Sequence, residues 1–144
     1  MEHKKLGQGQ QYPAQMKSKR GHKEYEFDVC GAQGSRFRVI LRQAYIKPHA
    51  FSVILGYFRP QSDDLFRLCR YNGMHGEHTN TIERRTFYSC HIHRATERYQ
   101  LLGMDEDSFA EPTDRFDDIR SAYDCLLRDC AFESLPDLQG QLFT

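Results

Sequence analysis

Tryptophan is absent from the 144-residue chain, and no two of its five cysteines form a CxxC pair. An odd cysteine count without paired spacing argues against a disulfide framework, so Cys30, Cys69, Cys90, Cys125 and Cys130 are expected as reduced, buried thiols. No stretch approaches the roughly 18 apolar residues of a membrane span. The opening MEHKKLGQGQQYPAQ carries no apolar signal core. These absences predict a soluble, cytoplasmic protein with no membrane partner. Net charge is missing as well: 20 Lys and Arg stand against 20 Asp and Glu. That balance argues against a uniformly basic nucleic-acid coat and against an acidic disordered chain. What is present, 39% hydrophobic and 28% charged residues, suffices for one domain of ordinary size.

The zero average hides a split. Residues 1–24 carry six basic and two acidic residues, residues 25–103 eleven and seven, and residues 104–144 three and eleven. A basic body is thus followed by an acidic C-terminal third. Either the acidic part folds back and neutralises the basic surface, or the basic surface stays open to a polyanion. Of the 20 cations 14 are Arg, whose planar fork suits phosphate and carboxylate.

Residues 1–24, rich in Lys, Gln and Gly, show no apolar periodicity and read as a flexible basic arm. From residue 25 the hydrophobic period is two. Tyr25, Phe27 and Val29 form one face of a strand, and Phe37, Val39 and Leu41 form a second. The turn signal Gly31-Ala32-Gln33-Gly34 joins them as a hairpin. Phe51, Val53, Leu55 and Tyr57 mark a third strand, residues 65–71 a fourth and residues 87–93 a fifth. A polar loop separates the last two. At the C-terminal end, Phe116, Ile119, Tyr123, Leu126, Leu127 and Cys130 recur in steps of three and four, which predicts a helix over about 114–131 with Thr113 as N-cap. Residues 25–144 therefore form a single α+β domain: an antiparallel meander of four to five strands, covered on one face by the C-terminal helix. Asp105-Glu106-Asp107 reads as a solvated loop. The sheet's edges leave a homodimer open.

Four of the seven histidines fall between residues 75 and 93. Alternation along the fifth strand puts Tyr88, Cys90 and Ile92 on one face and His91 and His93 on the other, with the two imidazoles roughly 6–7 Å apart. The preceding loop can bring His75, His78, Arg84 or Arg85 over that face. Three chemistries suit this inventory. In metal-independent RNA cleavage, His91 and His93 serve as acid and base and arginines hold the phosphate. As a metal site, His75 and His78 join His91 and His93, but no ligand spacing is diagnostic, so no metal and no other cofactor is assigned. In binding without catalysis, Arg70, Arg84, Arg85, Arg94, Arg98, His75, His78, Asn80 and Tyr99 contact a nucleic acid or a protein, with Tyr71, Phe87, Tyr88 and Tyr99 available to stack. No P-loop and no nucleophile elbow occurs.

The stretches HTN at 78–80, HIH at 91–93 and ERY at 97–99 resemble a family of small uncharacterised bacterial proteins found among mobile-element, toxin–antitoxin and defence genes. The resemblance spans about residues 66–132. It implies a bacterial cytoplasmic protein acting on nucleic acid or on a defence partner, and it carries over no catalytic role. The leading expectation is accordingly a nucleic-acid- or partner-binding protein that works through a His/Arg-rich sheet face, with a toxin-like endoribonuclease as the enzymatic form. Both require His91 and His93 to project away from the helix, within reach of solvent and beside arginines.

Overall fold

The computed structural model describes residues 1–6, 12–13, 15–74 and 77–133. In chain order the elements are β1 (Lys4–Lys5), β2 (Lys17–Ser18), β3 (His22–Cys30), β4 (Arg36–Ala44), β5 (Phe51–Phe58), β6 (Leu65–Asn72), β7 (His78–Asn80), β8 (Arg85–Phe87), β9 (His91–Arg94), α1 (Glu97–Leu101), β10 (Ala110–Pro112), α2 (Ile119–Asp129) and β11 (Phe132–Glu133). The architecture is α+β. Its main sheet is antiparallel with the order β10-β9-β6-β5-β4-β3-β2, so it has seven strands where four to five are expected.

Two short strands account for the surplus. β2 pairs with β3, so Lys17–Ser18 and residues 22–24 belong to the sheet and not to a loose arm. At the other edge, β10 pairs with β9 and ends at Pro112, a residue that an edge tolerates because its missing N–H faces no neighbour. The start of the expected arm is anchored too: β1 lies parallel to β11. Residues 7–11 and 14 of that arm lie outside the described residues.

The register sorts every residue to one of two faces. On the first, Val29, Phe37, Val39, Leu41, Val53, Leu55, Cys69, Tyr71 and Ile92 share one buried cluster with Phe116 and with Ile119, Ala122, Tyr123, Cys125 and Leu126 of α2. On the second, Arg42, Ser52, Asn72 and His91 line up across the strands, and Ile40, Ile54, Arg70 and His93 form the next row. Between β5 and β6 the register shifts at Leu55/Gly56. A side chain at Gly56 would collide with Leu65, so the close approach there requires glycine.

Two expected elements are corrected. The fifth strand is split: Phe87 closes β8 in a separate hairpin with β7, and the main sheet resumes only at His91. Tyr88 is therefore exposed, with its hydroxyl on Glu77, while Cys90 and Ile92 are buried as alternation required. The C-terminal helix begins at Ile119 rather than near 114. Its N-cap is Asp118, whose carboxylate accepts from the Ser121 amide at 2.7 Å while the Ser121 hydroxyl accepts from the Asp118 amide at 3.2 Å. This reciprocal box satisfies two amide donors that a helix start leaves open. Thr113 instead accepts from the Arg115 amide and makes a local turn. No helix among the described residues is long and apolar enough to cross a membrane.

Candidate metal centre

His91 and His93 leave the sheet on the face opposite α2, as strand alternation requires. They are not on a solvated surface. His91 is 3% and His93 6% exposed, because the β7–β8 hairpin and the 105–109 segment lie over them. Two residues fasten this roof. Asn80 brackets β10, donating to the Ala110 carbonyl at 2.6 Å and accepting from its amide at 2.9 Å. Tyr99, buried on α1, donates to Glu83 at 2.7 Å and accepts from the Ile82 amide at 3.1 Å. Neither Asn80 nor Tyr99 is free to bind or stack on a base, as expected of them; both hold the hairpin.

The hairpin delivers a third imidazole. The ring of His78 lies 5.5 Å from that of His91 and 4.8 Å from that of His93, and His91 and His93 are themselves 4.8 Å apart, centroid to centroid. One ligand nitrogen from each ring falls within 4.8 Å of the others. Phe87 closes the side of the cluster, 5.5 Å from both His78 and His91.

Hydrogen bonds determine which nitrogens carry protons. Nδ1 of His91 faces the Ser89 carbonyl at 2.8 Å, and Nδ1 of His93 faces the Asp107 carbonyl at 2.6 Å. A carbonyl only accepts, so both Nδ1 atoms donate and both Nε2 atoms of the neutral rings present lone pairs. Asn72 agrees with this arrangement. Its Oδ1 accepts from Ser52 at 2.7 Å and from Arg70 Nε at 3.0 Å, so its NH2 group points at Nε2 of His93 (3.2 Å) and of His91 (3.5 Å). For His78, Nε2 donates to Asn80 Oδ1 at 2.8 Å, which leaves its Nδ1 lone pair. A ring tied to oxygen through one nitrogen is the usual outer-shell arrangement of a metal-ligating histidine, and the Asn72 amide sits on Nε2 of His91 and His93, the atoms that would face an ion. Burial, seconded by the neighbouring His91, pushes the His93 pKa down to about 3, so the ring is neutral around pH 7.

The arginines distribute differently from the expectation. Arg70 alone stands beside the cluster, bonded to Ser52 and Asn72 and paired with Asp107 at 3.3 Å. Asp107 is no solvated loop residue: with Asp105 and Glu106 it surrounds Arg67, and burial raises its carboxyl pKa. Arg94 follows Ile92 to the α2 face, where its charge acts on Cys69 and Asp129, so it is removed from the histidines. Arg98 is tied to Glu83 at 2.6 Å. Arg84 and Arg85 are exposed at the hairpin turn, without an ion pair among the described residues. Tyr71 is fully buried, and His75 lies outside the described residues. Sequence reasoning missed Ser52, the two ring-orienting carbonyls and the part of Asp107; only the polar Ser52 in an otherwise apolar strand signalled any of them. No protein-family model, no curated protein and no solved structure matches this chain.

Proposed function

We propose that this chain is a metal-binding protein in which His78, His91 and His93 hold one divalent first-row ion between the sheet and the β7–β8 hairpin. The observation that carries the reading is the set of three converging imidazoles, each with its second nitrogen already committed to an oxygen. Neutral imidazole suits zinc, copper, nickel and iron, and three nitrogens with one remaining position suit tetrahedral zinc best. Bonds of about 2.0–2.1 Å place tetrahedral nitrogens about 3.4 Å apart, so rings with ligand atoms within 4.8 Å must close by an ångström or so on loading. His78 on a separate hairpin can supply that movement. Asn72 presents N–H and not oxygen to the centre. An ion on the two Nε2 atoms displaces this donor from them, and the amide then serves whatever ligand, water or an anion, completes the coordination.

Elemental analysis of protein purified without a histidine tag checks this, together with titration of chelator-stripped protein by zinc. The expected result is one equivalent of ion, with a zinc-dependent rise in melting temperature. His78→Ala, His91→Ala and His93→Ala should each lose stoichiometric binding, while His22→Ala, at the start of β3 with its ring on the Arg20 carbonyl, keeps it. Equal zinc affinity in all four variants overturns the reading.

A second reading retains nucleic-acid or partner binding in a bacterial defence or toxin–antitoxin setting. It is supported by Arg84 and Arg85, two exposed guanidinium groups in the same hairpin that carries His78. Under it, a polyanion docks on the outer rim of the hairpin and not on the histidines. Its endoribonuclease form, with His91 and His93 as acid and base, is supported less well by two buried rings than the metal centre is.

A further inference from the structure

On the helix side of the sheet, far in sequence from each other, two thiols meet. Sγ of Cys69 on β6 lies 3.6 Å from Sγ of Cys130, the C-cap residue of α2. Both are buried, as is the lysine beside them. Lys4 on β1 is 1% exposed, and its ammonium group donates to the Glu2 carbonyl at 2.6 Å and to the Cys130 carbonyl at 2.8 Å. The same nitrogen stands 4.4 Å from the Phe37 ring centre and 5.3 Å from that of Phe132. A lysine this buried is uncommon, and one seated over two aromatic rings beside two thiols sets up an electropositive microenvironment of the kind that activates cysteine.

The two thiols are inequivalent. Their mutual hydrogen bond and the Lys4 charge pull Cys130 down in pKa, while that bond and complete burial push Cys69 up. One sulfur is thus the better thiolate and the other the proton-bearing partner.

We propose that Cys69 and Cys130 are a redox couple that closes to an intramolecular disulfide when oxidised by a peroxide, with Lys4 as the residue that positions the attacking thiolate. The Cys130 thiolate attacks one peroxide oxygen, the O–O bond breaks, and hydroxide (or an alkoxide) leaves, so Cys130 becomes a sulfenic acid. The Cys69 sulfur then attacks the Cys130 sulfur, Cys69 gives up its proton, and the sulfenic oxygen departs as water. The two sulfurs lose two electrons and the peroxide gains them. The sulfurs must close from 3.6 Å to about 2.05 Å. The two-residue strand β1, which holds Lys4 against Cys130, is the element whose opening admits the oxidant. None of this depends on the metal reading.

The test is peroxide treatment of the folded protein, followed by alkylation, intact-mass measurement and peptide mapping. Apart from any oxygen gained at Cys30, the expected outcome is the loss of two further thiols with a mass decrease of about 2 Da, and a linked peptide pair containing Cys69 and Cys130. The melting temperature should rise and return to its original value with a thiol reductant. Exposed Cys30 serves as the internal control that the oxidant is active. In Cys69→Ser the reaction should stop at a sulfenic acid on Cys130 that a dimedone-type probe captures. Lys4→Met should slow closure several-fold. Oxidation confined to Cys30, or linkage through Cys90 or Cys125, overturns the couple. Because the mapping uses the unaltered chain, its outcome is independent of whether the variants fold. A closure rate in Lys4→Met equal to the native one removes the lysine from the proposal.

Discussion

Asp129 shows how much one carboxylate can hold. Its Oδ2 accepts from the buried Tyr71 hydroxyl at 2.5 Å, and both oxygens accept from Arg115 at 2.8 Å. The Arg115 hydrogen bonds, followed by that of Tyr71, keep the Asp129 pKa below the ordinary carboxylate range. A carboxylate that releases its proton more readily when folded stabilises the fold above its unfolded pKa, and that contribution is lost as pH falls through the lowered folded value. Tyr71→Phe should therefore cost about 1.5–3 kcal/mol near neutrality, the range of a hydrogen bond to a charged group. Urea unfolding of the native and Tyr71→Phe proteins should show the difference shrinking as pH drops below about 4. A difference independent of pH would place the acceptor elsewhere. At this scale the sequence is partly legible. The placement of His91 and His93 on one face follows from residue alternation alone. Asp107 and Ser52 do not follow, because each meets its partners across long sequence separations, and nothing local marks an acidic residue that will be buried under an arginine.

Elements are legible in proportion to how regular their period is. β3 and most of β4 alternate, β5 is an apolar run buried on both faces, and the pairing of the three follows from short turns. The run at 87–93 alternates equally well, yet it is broken, because Tyr88–Cys90 must carry the chain from the roofing hairpin back into the main sheet. The start of α2 lies later than its apolar stripe suggests for a related reason: Thr113, Asp114, Asp117 and Asp118 are all acceptable caps, and buried Phe116 mimics the helical stripe without being helical. Only the geometry of the Ser121 return bond distinguishes Asp118. Asp118→Ala should lower stability by about 1 kcal/mol, whereas Thr113→Ala should stay within about 0.5 kcal/mol. Denaturant midpoints of the two variants decide between the cap positions, and an effect of the opposite order would return the N-cap to Thr113.

Across the whole molecule the charge split is met in part by contact. Arg67 gathers Asp105, Glu106 and Asp107, Arg70 shares Asp107, Arg115 takes Asp129 and Lys5 faces Glu133. Three cations of the basic part, Lys5, Arg67 and Arg70, thus meet the acidic third inside one fold, while Arg115 and Asp129 pair within that third. On the roofing hairpin Arg84 and Arg85 stay exposed, without an ion pair among the described residues. If the second reading holds, binding of single-stranded RNA weakens as salt rises, and the double variant Arg84→Ala/Arg85→Ala reduces the slope of log K against log salt by roughly 1.4, about 0.7 per lost phosphate contact. Filter binding across a salt series measures it; a slope unchanged in the double variant would remove the hairpin rim from consideration.

One strand stands between two chemistries. β6 sends Cys69 and Tyr71 into the helical layer and Arg70 and Asn72 toward the imidazoles, so thiol and nitrogen donors are insulated from each other by the thickness of a single backbone. The irregularity opposite Gly56 sets which residue goes which way. It inserts Leu68 as an extra residue, so that Arg67 and Cys69, two residues apart, leave the sheet on opposite faces, Arg67 toward the acidic 105–107 segment beside the histidines and Cys69 into the helical layer. The bulge is therefore the point on which the fold's two-sidedness turns.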